Sequence, residues 1–163
     1  MADCDNSQYA LFIDGDYALN VDALISYLRT HGKPALIGGK VWASSAPRRL
    51  PSDPHYLSYD FYPYSRFPPF IAAGAIIISR DLVQPLHIFS YFTKHVPFDD
   101  VFYGLVAKKL GLTLTDLSDL LPSWWSVPAA DDTPRLRTLI ATHRFGNLAE
   151  VERIHHALQM NHG

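Results

Sequence analysis

The apolar run Tyr9-Ala10-Leu11-Phe12-Ile13 ends abruptly in Asp14-Gly15-Asp16. Its length is that of a buried strand. Asn20 then has the chemistry of a helix cap. Leu24 and Leu28 recur on one face, and Gly32 closes a helix predicted to run to about His31. Residues 35–42 predict a second strand, and the Ile-rich stretch 69–79 another. Between them, residues 43–68 show no period and predict a long irregular segment, which in compact domains is functional or disordered. A short helix is predicted after Ser79 or Asp81, with Pro85 early in it or kinking it. Asp99 and Asp100 open a further helix to Leu110, stopped by Gly111, with Val101, Leu105 and Leu110 inward. Residues 122–134 read as a loop carrying Pro and Trp, and residues 138–143 as a last strand. Asn147 with Glu150 forms a capping-box-like start to a helix bearing Leu148, Val151, Ile154 and Leu158. Strands alternate with helices, so the class is α/β. No repeat or internal boundary divides residues 1–163.

Composition narrows the function classes. The chain has 163 residues, 48% hydrophobic and 18% charged, as a folded domain has. A net charge of −2 gives no general attraction to nucleic acid or to an anionic membrane. The longest apolar stretch, residues 67–78, holds prolines and a glycine and falls short of the roughly 20 residues a bilayer needs. Residues 1–8 are polar and do not read as a signal peptide. The single cysteine, Cys4, cannot pair within the chain and leaves the compartment open. Aromatic residues cluster with prolines between Trp42 and Phe70. Such a segment either walls a cleft for sugars or bases or packs as a loop onto a sheet.

Three groups of polar residues at element ends could carry chemistry. Asp14 and Asp16 repel each other at the end of an apolar strand, and a hard divalent cation relieves that repulsion while bridging to phosphates. Asp-Gly is equally a turn pair. Asp99 and Asp100 precede a helix, where capping is the plain reading. His143 follows the last strand. With Asp16 it would make a reasonable Mn²⁺ pair, and by itself it reads as a satisfied histidine at the core edge. Strand-end loops of an α/β sheet converge on one crevice, which would bring these groups together. His87, His95, His155 and His156 show no ligand spacing, and Lys108-Lys109 reads as a solvated helix face.

These stretches follow an order that resembles the β-1,3-glycosyltransferases of glycosyltransferase family 31, and the brainiac-type branch above all. The matching residues are Tyr9-Ala-Leu-Phe-Ile-Asp-Gly-Asp-Tyr17 with Asn20, then Gly39-Lys-Val-Trp42. Tyr62-Pro-Tyr-Ser-Arg-Phe-Pro-Pro-Phe70 and Ala72-Ala-Gly-Ala75 with Ser79-Arg80 follow. Phe98-Asp-Asp-Val-Phe-Tyr-Gly104 with Lys109-Leu-Gly111, and Leu139-Ile-Ala-Thr-His-Arg-Phe-Gly146, complete the set. The resemblance implies a GT-A, Rossmann-like domain that binds a UDP-sugar and a divalent cation, Mn²⁺. It makes Asp16 a metal ligand, Asp14 a neighbour of the ribose or the metal waters, and His143 a second metal ligand. Asp100 becomes the catalytic base and Asp99 its neighbour at the acceptor. Trp42, Tyr62, Arg66, Pro69 and Gly74 become lining of the donor and acceptor cleft. The implied reaction is inverting transfer of a hexose or N-acetylhexosamine to a 3-hydroxyl of a glycan, on glycolipid or glycoprotein. The implied location is the lumenal side of the Golgi membrane, through an anchor that precedes this region.

The sequence departs from the pattern at two places. Gly15 stands where the family carries a middle aspartate. Pro54-His55-Tyr56-Leu57-Ser58 stands for a Lys-Trp-Tyr-Val-Ser stretch. The chain also starts just before the metal strand, so it reads as the C-terminal portion of such a domain. Cys4 matches a family cysteine whose partner is implied to lie upstream. Two other readings remain: a catalytically inactive glycan-binding relative and a fragment without function. The 163 residues alone are expected to be marginally stable and weakly active, because an unpaired strand edge is left and much of the uridine pocket is absent.

Overall fold

The computed structural model describes residues 7–122, 132–143 and 147–159. Its elements are β1 (Tyr9–Ile13), β2 (Ala18–Leu19), α1 (Val21–His31), β3 (Ile37–Trp42), β4 (Phe70–Ser79) and α2 (Arg80–Tyr91). They continue with α3 (Asp99–Lys109), β5 (Thr115–Asp116), α4 (Thr133–Thr138), β6 (Ala141–Thr142) and α5 (Leu148–Gln159). The class is mixed α/β. A four-stranded sheet has the order β1-β4-β3-β5, and β2 pairs with β6 in a small second sheet.

The pairing is mostly antiparallel. β4 runs against both β1 and β3, and only β3–β5 is parallel. The carboxyl ends of β1 and β3 therefore both point toward the start of β4. β1 lies at the edge, with β4 as its one neighbour in the sheet and Phe12 57% exposed. The register of β3 on β4 breaks between Gly39↔Ile76 and Val41↔Ile71. β3 advances two residues there while β4 advances five, so β4 bulges over residues 72–75. The bulge has the small side chains of Ala72, Ala73, Gly74 and Ala75.

Each face of the sheet carries its own core. On one face Leu36, Ala75, Ile77, Leu117, Leu121 and Ile140 pack under Ala23, Leu24, Tyr27 and Leu28 of α1. On the other, Ile37, Ile71 and Ile78 meet Leu82 and Leu86 of α2 and Val106 of α3. Burial of such side chains is the main driving force for these layers. Asn20 caps α1 as expected, accepting the Ala23 N–H at 3.1 Å, while its amide donates to the Arg137 carbonyl at 3.2 Å. Asn147 likewise accepts the Glu150 N–H at 3.0 Å at the start of α5.

Two expectations need correction. Residues 138–143 do not form a strand: Thr138 ends α4, and only Ala141 and Thr142 pair. Asp132 accepts the Arg135 N–H, and Pro134 sits in the first turn, where a missing N–H is harmless. Those local signals favour a helical turn over extended chain. The helix after Ser79 is longer than expected, and Pro85 lies inside it. At that position the ring removes the bond to the Asp81 carbonyl and crowds that carbonyl. The loop expected over residues 122–134 lies largely outside the described residues, as does Cys4.

The segment 43–68 is irregular, as expected, and it is held from within. The Arg49 guanidinium donates to the carbonyls of Leu57 at 2.6 Å and of Tyr62 and Tyr64 at 2.8 Å each. It also stacks over Tyr59 at 4.0 Å. Leu57, Tyr62 and Phe67 turn inward onto Phe70, Val96 and Val101.

Candidate functional site

The pairing of β2 with β6 builds one wall of the site. Ala18 lies opposite Thr142, so the residues just outside the pair, Tyr17 and His143, come together. Their rings stack with centroids 4.3 Å apart and planes 9° from parallel. Tyr17 directly follows Asp16, so this wall adjoins the acidic turn. Burial raises the Tyr17 phenol to about 12, and the charges of Asp16 and Asp14 add to the effect. Burial lowers the His143 pKa, while the same two carboxylates pull it back up. His143 is therefore a neutral imidazole at pH 7 that lies in the field of both aspartates.

The bulge in β4 forms the floor. Gly74 has φ +115°, a conformation that suits glycine, and a Cβ there would lie 2.3 Å from the Tyr17 hydroxyl. Its carbonyl accepts the Asp14 N–H at 2.8 Å. One residue earlier, the Ala73 N–H lies near the Asp100 carboxylate and acts to lower its pKa. Two neighbouring residues of one bulge thus adjoin one member of each acidic pair, Asp14 and Asp100.

The helix α3 brings Asp100 to that floor. Gly104 lies one turn further on the same helix face. A Cβ on it would come within 2.5 Å of Phe70 Cβ and 2.9 Å of the Pro69 carbonyl. The missing side chain lets α3 pack close to β4 and places Asp100 against Ala73. Asp100 accepts the Val101 N–H at 2.7 Å, and Asp99 accepts the Asp100 N–H at 2.8 Å. Burial raises the Asp100 pKa above the ordinary carboxylate value; Asp99 adds to the rise, and the backbone N–H groups of Val101, Ala73 and Asp100 itself oppose it. Asp99 stays exposed.

These walls enclose a cavity of about 260 Å³ lined by Tyr17, Lys40, Trp42, Ala72, Ala73, Ala75, Asp100, Leu121, Pro122 and His143. On the other face of the sheet a more apolar groove of about 490 Å³ reaches Phe12, Asp14, Gly74, Asp99 and Asp100. A third hollow, about 330 Å³, runs from Asp99 and Asp100 to Ser45, Arg48, His55 and Phe67. Asp100 lines all three.

Most of the residues expected from sequence meet here. Asp14, Asp99, Asp100, Gly74, Trp42 and His143 line these hollows, and Asp16 adjoins Tyr17. Tyr62, Arg66 and Pro69 line none of the three. Tyr62 is a core residue whose hydroxyl donates to the Arg66 carbonyl at 3.1 Å. Arg66 donates to the Ser44 hydroxyl. Sequence reasoning did not single out Tyr17, Lys40 or the Ala73 N–H. The period-two alternation of β3, which puts Lys40 on the side of Trp42, was a signal available for Lys40.

For a divalent cation, the donor chemistry is suitable. His143 is a neutral imidazole, and its Nδ1 is buried without a hydrogen-bond partner among the described residues. Asp14 and Asp16 are exposed carboxylates beside it. Among the described residues, no group of three His, Cys, Asp or Glu side chains converges closely enough to hold an ion alone. An ion here would need oxygens from a substrate, as ions shared with phosphates do.

A family model described as Galactosyltransferase matches residues 1–118. The chain belongs to that family. The match spans both acidic pairs and the β4 bulge, whereas His143 lies beyond it. Across 92% of its length the chain is 31% identical to the β-1,3-galactosyltransferase brn of Drosophila melanogaster, covering 46% of that protein. It is 30% identical to the β-1,3-galactosyltransferase bre-5 of Caenorhabditis elegans, over 69% of this chain and 35% of that one. It is also 30% identical to a lactosylceramide 1,3-N-acetyl-β-D-glucosaminyltransferase of Xenopus laevis, over 67% of this chain and 30% of that protein. The chain thus spans about half or less of the length of these curated relatives. No helix among the described residues is long and apolar enough to cross a membrane.

Proposed function

We propose that this region carries a GT-A glycosyltransferase site that moves a hexose or N-acetylhexosamine from a UDP-sugar to the 3-hydroxyl of a glycan. One observation carries the reading: residues 73–74 join a half-buried carboxylate of raised pKa, Asp100, to the exposed pair Asp14 and Asp16. The names of the relatives supply the class of reaction and the β-1,3 linkage. Glycolipid and glycoprotein glycans are the acceptor classes, and the Golgi lumen is the proposed location.

Asp100 acts as the general base. Burial makes its carboxylate more basic than an exposed one, and the Ala73 and Val101 N–H groups fix its direction. It takes the proton of the acceptor 3-hydroxyl while that oxygen bonds to the anomeric carbon. The bond from that carbon to the diphosphate oxygen breaks on the opposite face, and UDP leaves with the electron pair. A single displacement of this kind inverts an α-linked donor to a β product. Asp99 stands on the acceptor side of Asp100. Trp42 and Tyr17 offer aromatic faces to a sugar ring. Asp16 and His143, with Asp14 beside them, would hold Mn²⁺, which offsets negative charge on the leaving diphosphate.

The test is transfer by the natural gene product from a panel of UDP-sugars to glycolipid and glycopeptide acceptors, with the product linkage read by NMR. A β-1,3-linked product that requires a divalent cation is the expected result. An α linkage, or transfer undiminished by chelator, would overturn the mechanism.

A further inference from the structure

Among the described residues, Lys40 is the only Lys or Arg that lines the cavity shared by Tyr17, His143 and Asp100. The alternation of β3 turns Lys40 and Trp42 to that face, while Ile37 and Val41 pack on the opposite one. The Lys40 ammonium donates to the Ser118 hydroxyl at 2.8 Å and lies 5.8 Å from the centre of the Trp42 ring. The Ser118 hydroxyl donates to the Asp116 carboxylate, which also accepts the Val41 N–H at 3.1 Å and the Ser118 N–H at 3.2 Å. Asp116 Oδ1 thereby takes three bonds; burial pushes this carboxyl up, but those bonds and the Lys40 charge hold it below the ordinary value. The relay fixes Lys40 through a neutral hydroxyl and puts no carboxylate in direct contact with it. Among the described residues Lys40 makes no ion pair. An ammonium carries three donors, so two remain free for a ligand in the cavity.

We propose that Lys40 binds the diphosphate of the donor and lets the site hold a diphosphate with the divalent cation removed. The inference rests on the nucleotide-sugar reading above. The cavity, about 260 Å³, is smaller than the sites that enclose whole drug-sized ligands, and it suits one part of a nucleotide sugar. The part that calls for a cation is the diphosphate. His143 and Tyr17 line the same cavity and lie in the field of Asp14 and Asp16, the carboxylates assigned to the metal. Lys40 thus adds a permanent positive charge where the Asp-Gly-Asp turn supplies only negative ones. A lysine serves phosphate as a point charge and needs no bidentate geometry.

The experiment is calorimetry on the natural gene product with inorganic pyrophosphate, UDP and uridine, each in EDTA and the nucleotides also in Mn²⁺. The wild type should bind pyrophosphate and UDP in EDTA. Lys40→Met should weaken both by about tenfold or more, the order of one charge-assisted contact. Lys40→Arg should retain most of the affinity, Ser118→Ala should lose a few-fold of it, and uridine binding should not change. Thermal melts report whether each variant is folded; if Lys40→Met is not, Lys40→Arg and Ser118→Ala decide. Equal pyrophosphate affinity in wild type and Lys40→Met overturns the inference. So does UDP binding that appears only with Mn²⁺, a result that leaves the donor reading intact. Failure of UDP to bind with Mn²⁺ overturns both.

Discussion

Asp14 and Asp16 differ from Asp99 and Asp100 in surroundings, although all four are the same functional group. The first pair follows a strand, faces solvent, and touches the β4 bulge only through the backbone of Asp14. In the second pair, Asp100 is half-buried at the start of a helix, accepts the Val101 N–H and lies beside the Ala73 N–H of the bulge. Exposure leaves the first pair free to share a cation. Burial makes Asp100 a stronger base than a solvated carboxylate. Environment, more than residue type, divides the work between two acidic pairs.

Removing the base breaks that contrast most sharply. Asp100→Asn is expected to lower transfer by about 10²–10⁴-fold, the usual contribution of a general base. Its effect on stability should have the opposite sign. Burial raises the Asp100 pKa, so the folded state is favoured by protonation, and that contribution is lost as pH rises through the raised value. At pH 7 the buried charge is destabilising. Asp100→Asn should therefore melt higher than wild type at pH 7, and the gain should vanish below the ordinary value of 3.8. Calorimetric melts at the two pH values check this; a lower melting point at both contradicts it.

Gly74→Ala attacks what the two pairs share. A Cβ would strike the Tyr17 ring at a positive φ, at a cost of about 1–3 kcal/mol. The melting point should fall by about 2–4 °C per kcal/mol for a chain of this size. Nucleotide binding and transfer should decline together, which assays on one preparation can show.

Acid should loosen the wall that carries His143. Its depressed pKa means that the unfolded state binds this proton more readily. The contribution to stability is present above the ordinary value of 6.5 and is lost as pH falls through the depressed one. His143→Gln should reduce the pH dependence of melting in that window. The smallest effect belongs to Asp99→Asn. Asp99 is exposed and its main bond is to the Asp100 N–H, so stability should change by no more than about 0.5 kcal/mol. Transfer should fall far less than in Asp100→Asn.

The longer strands, the Asn20 and Asn147 caps and both acidic pairs were legible because local chemistry fixes them. Both asparagines have cap geometry written into their neighbours, and residues 69–79 are too apolar to lie outside a core; residues 9–13 read as a buried strand, but they lie at the sheet edge with Phe12 exposed. Residues 133–138 were not legible, since a six-residue helix leaves no periodic pattern to read. The β4 bulge was hidden for a different reason. Its alanines and glycine fit an ordinary strand, and only the register against β3 reveals three extra residues. Lys40 shows the same limit, because a lone lysine in a strand gains meaning only when the opposite wall is known. Tyr62 shows the reverse: an aromatic cluster that reads as cleft lining holds a residue buried in the core.

The division of labour between the pairs is tested most directly by titrating UDP, with Mn²⁺ present, into wild type, Asp16→Asn and Asp100→Asn. Wild type and Asp100→Asn should bind with similar affinity. Asp16→Asn should lose more than about 100-fold, beyond the 10–100-fold typical of residues that merely support metal ligands. Equal losses in the two variants, or no loss in Asp16→Asn, would contradict the account.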